Sequence, residues 1–123
     1  MKRRLLLPIV LGVSALAFAA QTQAMSAPKL KGTVGPGFTI SLKDSTGKKV
    51  TTLKPGKYTF VVTDKASIHN FVLEKVQGGK FEKEITSVGG TGTKTVTITV
   101  SKGKYKFYCK PHESAMFGFF TVK

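Results

Sequence analysis

The chain holds two histidines, one cysteine and three methionines, and their placement is uneven. Met1 and Met25 stand near the amino terminus. Both histidines, the only cysteine and the remaining methionine fall in two short runs. One is Ile68-His69-Asn70-Phe71. The other is Cys109-Lys110-Pro111-His112-Glu113-Ser114-Ala115-Met116. A lone cysteine in an exported chain has no disulfide partner and is a liability in an oxidising compartment unless its sulfur is occupied. A thiolate, two imidazoles and a thioether suit a copper ion that shuttles one electron. The thiolate stabilises Cu(I), the imidazoles serve both oxidation states, and a long thioether contact tunes the potential. Cys-x-x-His followed by His-x-x-x-Met lets one loop fold over a single ion, and Pro111 stiffens that loop by fixing its φ. The expected ligands are therefore His69, Cys109, His112 and, as weak axial donor, Met116.

Other uses of these residues fit less well. Structural zinc closes with four strong ligands and rarely uses a thioether. A Cys-His nucleophile pair would need a third orienting group, and none stands at a recognisable position. The six acidic residues are scattered, and no Rossmann or phosphate-loop glycine pattern is present. The sequence therefore predicts no enzyme activity.

Period-two alternation dominates the part of the chain that must position these donors. Phe38, Ile40 and Leu42 share one face. Tyr58, Phe60 and Val62 repeat the pattern, as do Val96, Ile98 and Val100. Tyr105, Phe107 and Cys109 share one parity, which points the sulfur inward. Alternating β-branched and aromatic residues mark half-buried strands. Turn signals such as Lys54-Pro55-Gly56, Gly89-Gly90-Thr91-Gly92 and Ser101-Lys102-Gly103 separate them. The spacing predicts strands over 38–43, 49–53, 57–63, 69–75, 81–86, 94–100, 104–109 and 119–122. Seven to eight short strands of this kind predict an all-β, Greek-key β-sandwich.

Residues 1–24 read as a cleaved signal peptide. Lys2, Arg3 and Arg4 precede an apolar run from Leu5 to Ala20, then small and polar residues. That run, interrupted by Pro8 and Gly12, is short for a spanning helix. Residues 25–37, with two prolines and three glycines, read as a linker into a domain at 38–123. Losing the three leader cations takes the net charge from +14 to +11. Such a charge steers the protein toward redox partners with acidic docking surfaces, or weakly toward an anionic membrane surface. Lysines spread along an exported chain argue against nucleic acid. A monomer in the periplasm or outside the cell is expected.

The run Phe107-Tyr108-Cys109-Lys110-Pro111-His112, with Met116-Phe117-Gly118 after it, resembles the copper loop of the plastocyanin/azurin group of cupredoxins. Ile68-His69-Asn70-Phe71 resembles their upstream ligand strand, and the likeness covers about residues 36 to 123. It implies a cupredoxin-like fold and one type 1 copper on His69, Cys109, His112 and Met116. It also implies that Asn70 ties the two ligand segments together near the thiolate, and that electrons pass at the edge of His112, with Pro36 and Phe117 around it. The His-to-Met gap departs by one residue from plastocyanin-like and amicyanin-like loops, which bears on the copper–thioether distance. The function implied is a one-electron carrier between larger redox proteins. The alternative is a copper chaperone or store using the same ligands.

Overall fold

The computed structural model describes Pro8, residues 12–18 and residues 26–123. The signal-peptide reading of residues 1–24 falls largely outside the described residues. Among the described residues nine strands follow in order: β1 (Lys29–Val34), β2 (Ile40–Asp44), β3 (Thr52–Leu53), β4 (Gly56–Asp64), β5 (Phe71–Gln77), β6 (Phe81–Thr86), β7 (Gly92–Val100), β8 (Gly103–Tyr108) and β9 (Phe117–Val122). They form a four-stranded sheet ordered β2-β1-β4-β7 and a five-stranded sheet ordered β3-β9-β8-β5-β6. Both sheets are mixed, because β1 pairs parallel with β4 and β3 parallel with β9. Among the described residues no helix is long and apolar enough to cross a membrane.

The alternation read from the sequence maps onto a core between the sheets. Phe60 and Val62 of β4, Ile98 and Val100 of β7, and Tyr105 and Phe107 of β8 are buried. Phe71 stacks on Phe107 at 5.9 Å and 4°, and Tyr105 on Phe120 at 5.1 Å and 1°. Offset stacking of this kind adds to area burial. At Gly118 the backbone of β9 comes so close to the Phe107 ring that a Cβ would overlap it.

Two expectations at the amino-terminal end are corrected. Within the expected linker, Lys29–Val34 is strand β1, central in its sheet. Its inward positions are Leu30, Gly32 and Val34, and the middle one is a glycine because a Cβ there would sit 2.9 Å from Val62 and 3.0 Å from Phe71. A missing side chain erased the period-two signal. Phe38, expected on the inner face of a strand, precedes β2 and is 60 % exposed.

Candidate metal centre

Three chain segments meet at one end of the sandwich: the β1–β2 loop, the β4–β5 crossover and the β8–β9 loop. The crossover turns out of β4 through Asp64, whose Oδ1 accepts the Ala66 N–H at 3.1 Å. Lys65 N–H extends the parallel pairing by donating to the Val34 carbonyl at 2.9 Å. His69 N–H then closes a turn onto the Ala66 carbonyl at 3.2 Å and brings the His69 ring inward. Gly35, at φ 75°, lies against that ring. A Cβ there would stand 3.1 Å from His69 Cδ2 and 3.2 Å from the Ala66 Cβ, so only glycine combines this conformation with this approach.

The β8–β9 loop bonds to itself. Cys109 leaves β8 and caps the 3-10 turn Lys110–His112, with Pro111 at its start, where no N–H is needed. His112 N–H donates to the Cys109 carbonyl at 3.1 Å. The N–H groups of Ala115 and Met116 donate to the His112 carbonyl at 3.0 and 2.9 Å. Cys109 N–H donates to the Met116 carbonyl at 3.0 Å, so the loop ends where it began.

His69, Cys109 and His112 thereby converge. His69 Nδ1 and His112 Nδ1 are 3.2 Å apart, and each lies 3.6 Å from Cys109 Sγ. A triangle with those sides has a centre about 2.0 Å from every corner, beside reference metal–nitrogen and metal–thiolate distances of about 2.0–2.3 Å. His69 Nε2 stands 2.9 Å from the Gly37 carbonyl, which can only accept. Nε2 therefore carries the proton, and Nδ1 turns a lone pair toward the centre. The donor set and its spacing fit a copper ion. His69 and Cys109 are fully buried, and His112 is half-buried. Met116, 1 % exposed, packs in the same apolar cluster as Cys109.

Asn70 links the ligand segments, as the resemblance implied. Its Oδ1 accepts the Lys110 N–H at 2.7 Å, and its Nδ2 donates to Glu84 Oε2 at 2.9 Å. Lys110, between the ligands Cys109 and His112 in sequence, extends outward and stands 3.6 Å from Glu82. Tyr108, next to Cys109, donates its hydroxyl to the same Glu82 at 3.2 Å. Burial, with the charges of Glu74 and Glu82 nearby, pushes the Tyr108 phenol well above its ordinary value, so it stays a neutral donor. On the loop's other flank Lys106 pairs with Glu113 at 2.8 Å.

The exposed edge differs from expectation. Phe38, not Phe117, is the aromatic ring against the histidines, edge-on to His112 at 4.9 Å and to His69 at 5.5 Å. Phe117 turns to the outer face of the five-stranded sheet, against Phe119 and the Lys106 ammonium. Pro36 is exposed in the same loop as Phe38. Sequence reasoning missed Phe38, the Gly37 carbonyl and Glu84. The signal available was Gly35-Pro36-Gly37, a glycine-bracketed proline just before an aromatic ring.

Comparison with known proteins agrees with this geometry. The profile of copper binding proteins of the plastocyanin/azurin family matches residues 46–123. Among solved structures, rusticyanin is similar at 18% identity, with a TM-score of 0.54 over 77% of this chain and 76% of that one. Auracyanin A, described as a blue copper protein from the green thermophilic photosynthetic bacterium Chloroflexus aurantiacus, aligns at 18% identity and TM-score 0.53, covering 80% of this chain and 100% of that one. An amicyanin mutant in the Cu(I) state aligns at 13% identity and TM-score 0.50, covering 78% and 83%. No curated protein sequence matches the chain.

Proposed function

The chain belongs to the plastocyanin/azurin family of copper-binding proteins, and from that premise we propose that it is an exported one-electron carrier between larger redox proteins, with no substrate turnover of its own. Its cofactor is one type 1 copper, for which His69, Cys109 and His112 form the site. Bound copper supplies a single reversible electron exchange. Met116 is read as the weak axial donor, on its burial at the base of the loop and on the family-like spacing.

The residues of the chain serve that exchange by staying still. The Gly37 carbonyl fixes the His69 tautomer, Asn70 fixes the distance between ligand segments, and the bonds inside 109–116 fix the loop. Full burial of Cys109 and His69 excludes water from the sulfur. The observation that carries the reading is the donor triangle of 3.2, 3.6 and 3.6 Å set in that dry end of the sandwich. Such enclosure suits a carrier better than a delivery protein, which must release its metal. Exchange with a partner is assigned to the half-buried His112 edge, where a small docking area allows quick release.

Cu(II) titration monitored by visible and EPR spectra, with Cys109→Ala alongside, tests the reading. An intense thiolate-to-copper band in the wild type and none in the variant is expected. A colourless protein, or identical copper binding by both, would sink it, and rapid surrender of copper to a chelator would favour delivery. Met116→Gln should keep the band but lower the potential, because a harder oxygen donor favours the more positive ion. An unchanged potential would remove Met116 from the ligand set. Amino-terminal sequencing of the protein recovered outside the cytoplasm tests export and the cleavage point together.

A further inference from the structure

The outer face of the four-stranded sheet carries an arrangement that folding alone does not favour. Lys31 of β1 stands directly opposite Lys43 of β2, and Lys43 in turn opposite Lys49. Three ammonium groups thus line up on three neighbouring backbone segments, about 4.8 Å apart at the main chain. Like charges set opposite one another on adjacent strands destabilise a sheet. Lys29 shares the parity of Lys31. Lys57 lies one same-face step along β4 from Thr59, the partner of Lys29. All five lysines are exposed. Among the described residues the two ion pairs are Lys106–Glu113 and Lys110–Glu82, both elsewhere.

Among the described residues no carboxylate forms an ion pair with these lysines. Asp44, at its edge, spends Oδ1 on the Thr46 hydroxyl and on the N–H groups of Thr46 and Lys48. Asp64 is buried. Glu74, Glu82 and Glu84 all lie on the five-stranded sheet, and Glu113 lies on the ligand loop. The remaining outward positions of β1, β4 and β7 are threonines, with Val61 the one apolar residue.

We propose that this lysine face docks the protein on an anionic lipid bilayer. A protein partner would look for aromatic or arginine anchors and a pocket, and interfaces are poor in lysine. This face has neither anchor, and every cation from residue 25 onward is lysine. Lysine is a flexible, hydrated point charge, suited to a mobile layer of headgroups more than to bidentate recognition. Each lysine at an anionic leaflet strengthens binding about fivefold. The face runs along the strands, whereas His112 lies off their end, so docking leaves the exchange edge free and directed along the membrane plane. Bilayer docking does not depend on the electron-carrier reading.

The test is co-sedimentation of the copper-loaded protein, as exported, with phosphatidylcholine vesicles with and without phosphatidylglycerol. The face variant is Lys29→Gln, Lys31→Gln, Lys43→Gln and Lys49→Gln combined. The control removes the same charge elsewhere, through Lys80→Gln, Lys83→Gln, Lys102→Gln and Lys123→Gln. The wild type should bind only the phosphatidylglycerol vesicles, and should release as salt rises from ~0.1 to ~1 M and the screening length falls from about 10 to about 3 Å. The face variant should bind several hundred-fold more weakly, at about fivefold per lysine, while the control stays within a few-fold of wild type. A persisting thiolate band shows that both variants are folded, and it separates this outcome from any failure of the copper reading. Equal losses in both variants, or a face variant that binds like wild type, would overturn the proposal. So would binding to neutral vesicles, as by an uncleaved leader, or capture by an acidic protein without capture by vesicles.

Discussion

Replacing Asn70 with alanine probes the part of the site where the two ligand segments are joined. Asn70 is 1 % exposed and gives Oδ1 to Lys110 N–H at 2.7 Å and Nδ2 to Glu84 at 2.9 Å. Alanine leaves the Lys110 N–H without its acceptor in a part-buried position, which costs about 1–3 kcal/mol. The lost bond to Glu84 adds little, because that carboxylate is exposed and regains water. A total of about 1–3 kcal/mol lowers the Tm of a domain this size by about 5–20 °C. Asn70→Asp should fall between wild type and alanine. It keeps the bond to Lys110 but sets a carboxylate oxygen against Glu84. Copper affinity should drop about 10- to 100-fold in the alanine variant, the usual effect of removing a group that orients metal ligands. Thermal unfolding of the metal-free protein and competition with a chelator measure the two effects separately. If metal-free stability and copper affinity both match wild type, the joint is not held by Asn70 and the reasoning fails.

Gly118→Ala should destabilise by about 1–3 kcal/mol in urea, through overpacking. The new Cβ would stand 2.7 Å from Phe107 Cε2 and 2.9 Å from Cε1, on a ring held by its stack with Phe71. A loss below about 0.5 kcal/mol would show that the ring can move aside. Phe38→Ala should leave the thiolate band in place, since the donor triangle does not include it, yet speed copper removal by a chelator as water reaches the His112 ring. Equal removal rates in variant and wild type would mean that Phe38 is no barrier. The Thr46 hydroxyl, with the Lys48 and Thr46 N–H groups, holds the Asp44 carboxyl below its ordinary 3.8. Its contribution is therefore present above that value and lost as pH falls through the lower folded one. Asp44→Ala should flatten the acid limb of the stability–pH curve, and an unchanged limb would argue against the turn's role.

The donors were legible in the sequence because their types are rare in the chain and their spacing is short. Cys109 and His112 need only one loop to meet, and His69 stands out as the other histidine. Strands with bulky inward residues, such as β4, β7 and β8, were legible for the same physical reason that they pack. What escaped was written in residues without side chains. Gly32 hid β1 by leaving its central inward position blank, and Gly35 and Gly37 disguised a loop that supports His69 as a linker. Phe38 misled because parity along a strand says nothing once the strand has not yet begun. Glu84, on a different strand from both ligand segments and joined to the Lys110 amide only through Asn70, had no local signal at all.

The ligand loop closes on itself, with Cys109 N–H on the Met116 carbonyl and the turn bonds of His112 inside that ring. Seen as heritable material, it is a cassette. Glu113, Ser114 and Ala115 are exposed and lie outside the strand ladders. Insertion, deletion or replacement there alters the reach from His112 to Met116 without touching the register of β8 against β9. Descent can thus retune the metal's surroundings through a few codons, while the sandwich that delivers His69 is inherited unaltered.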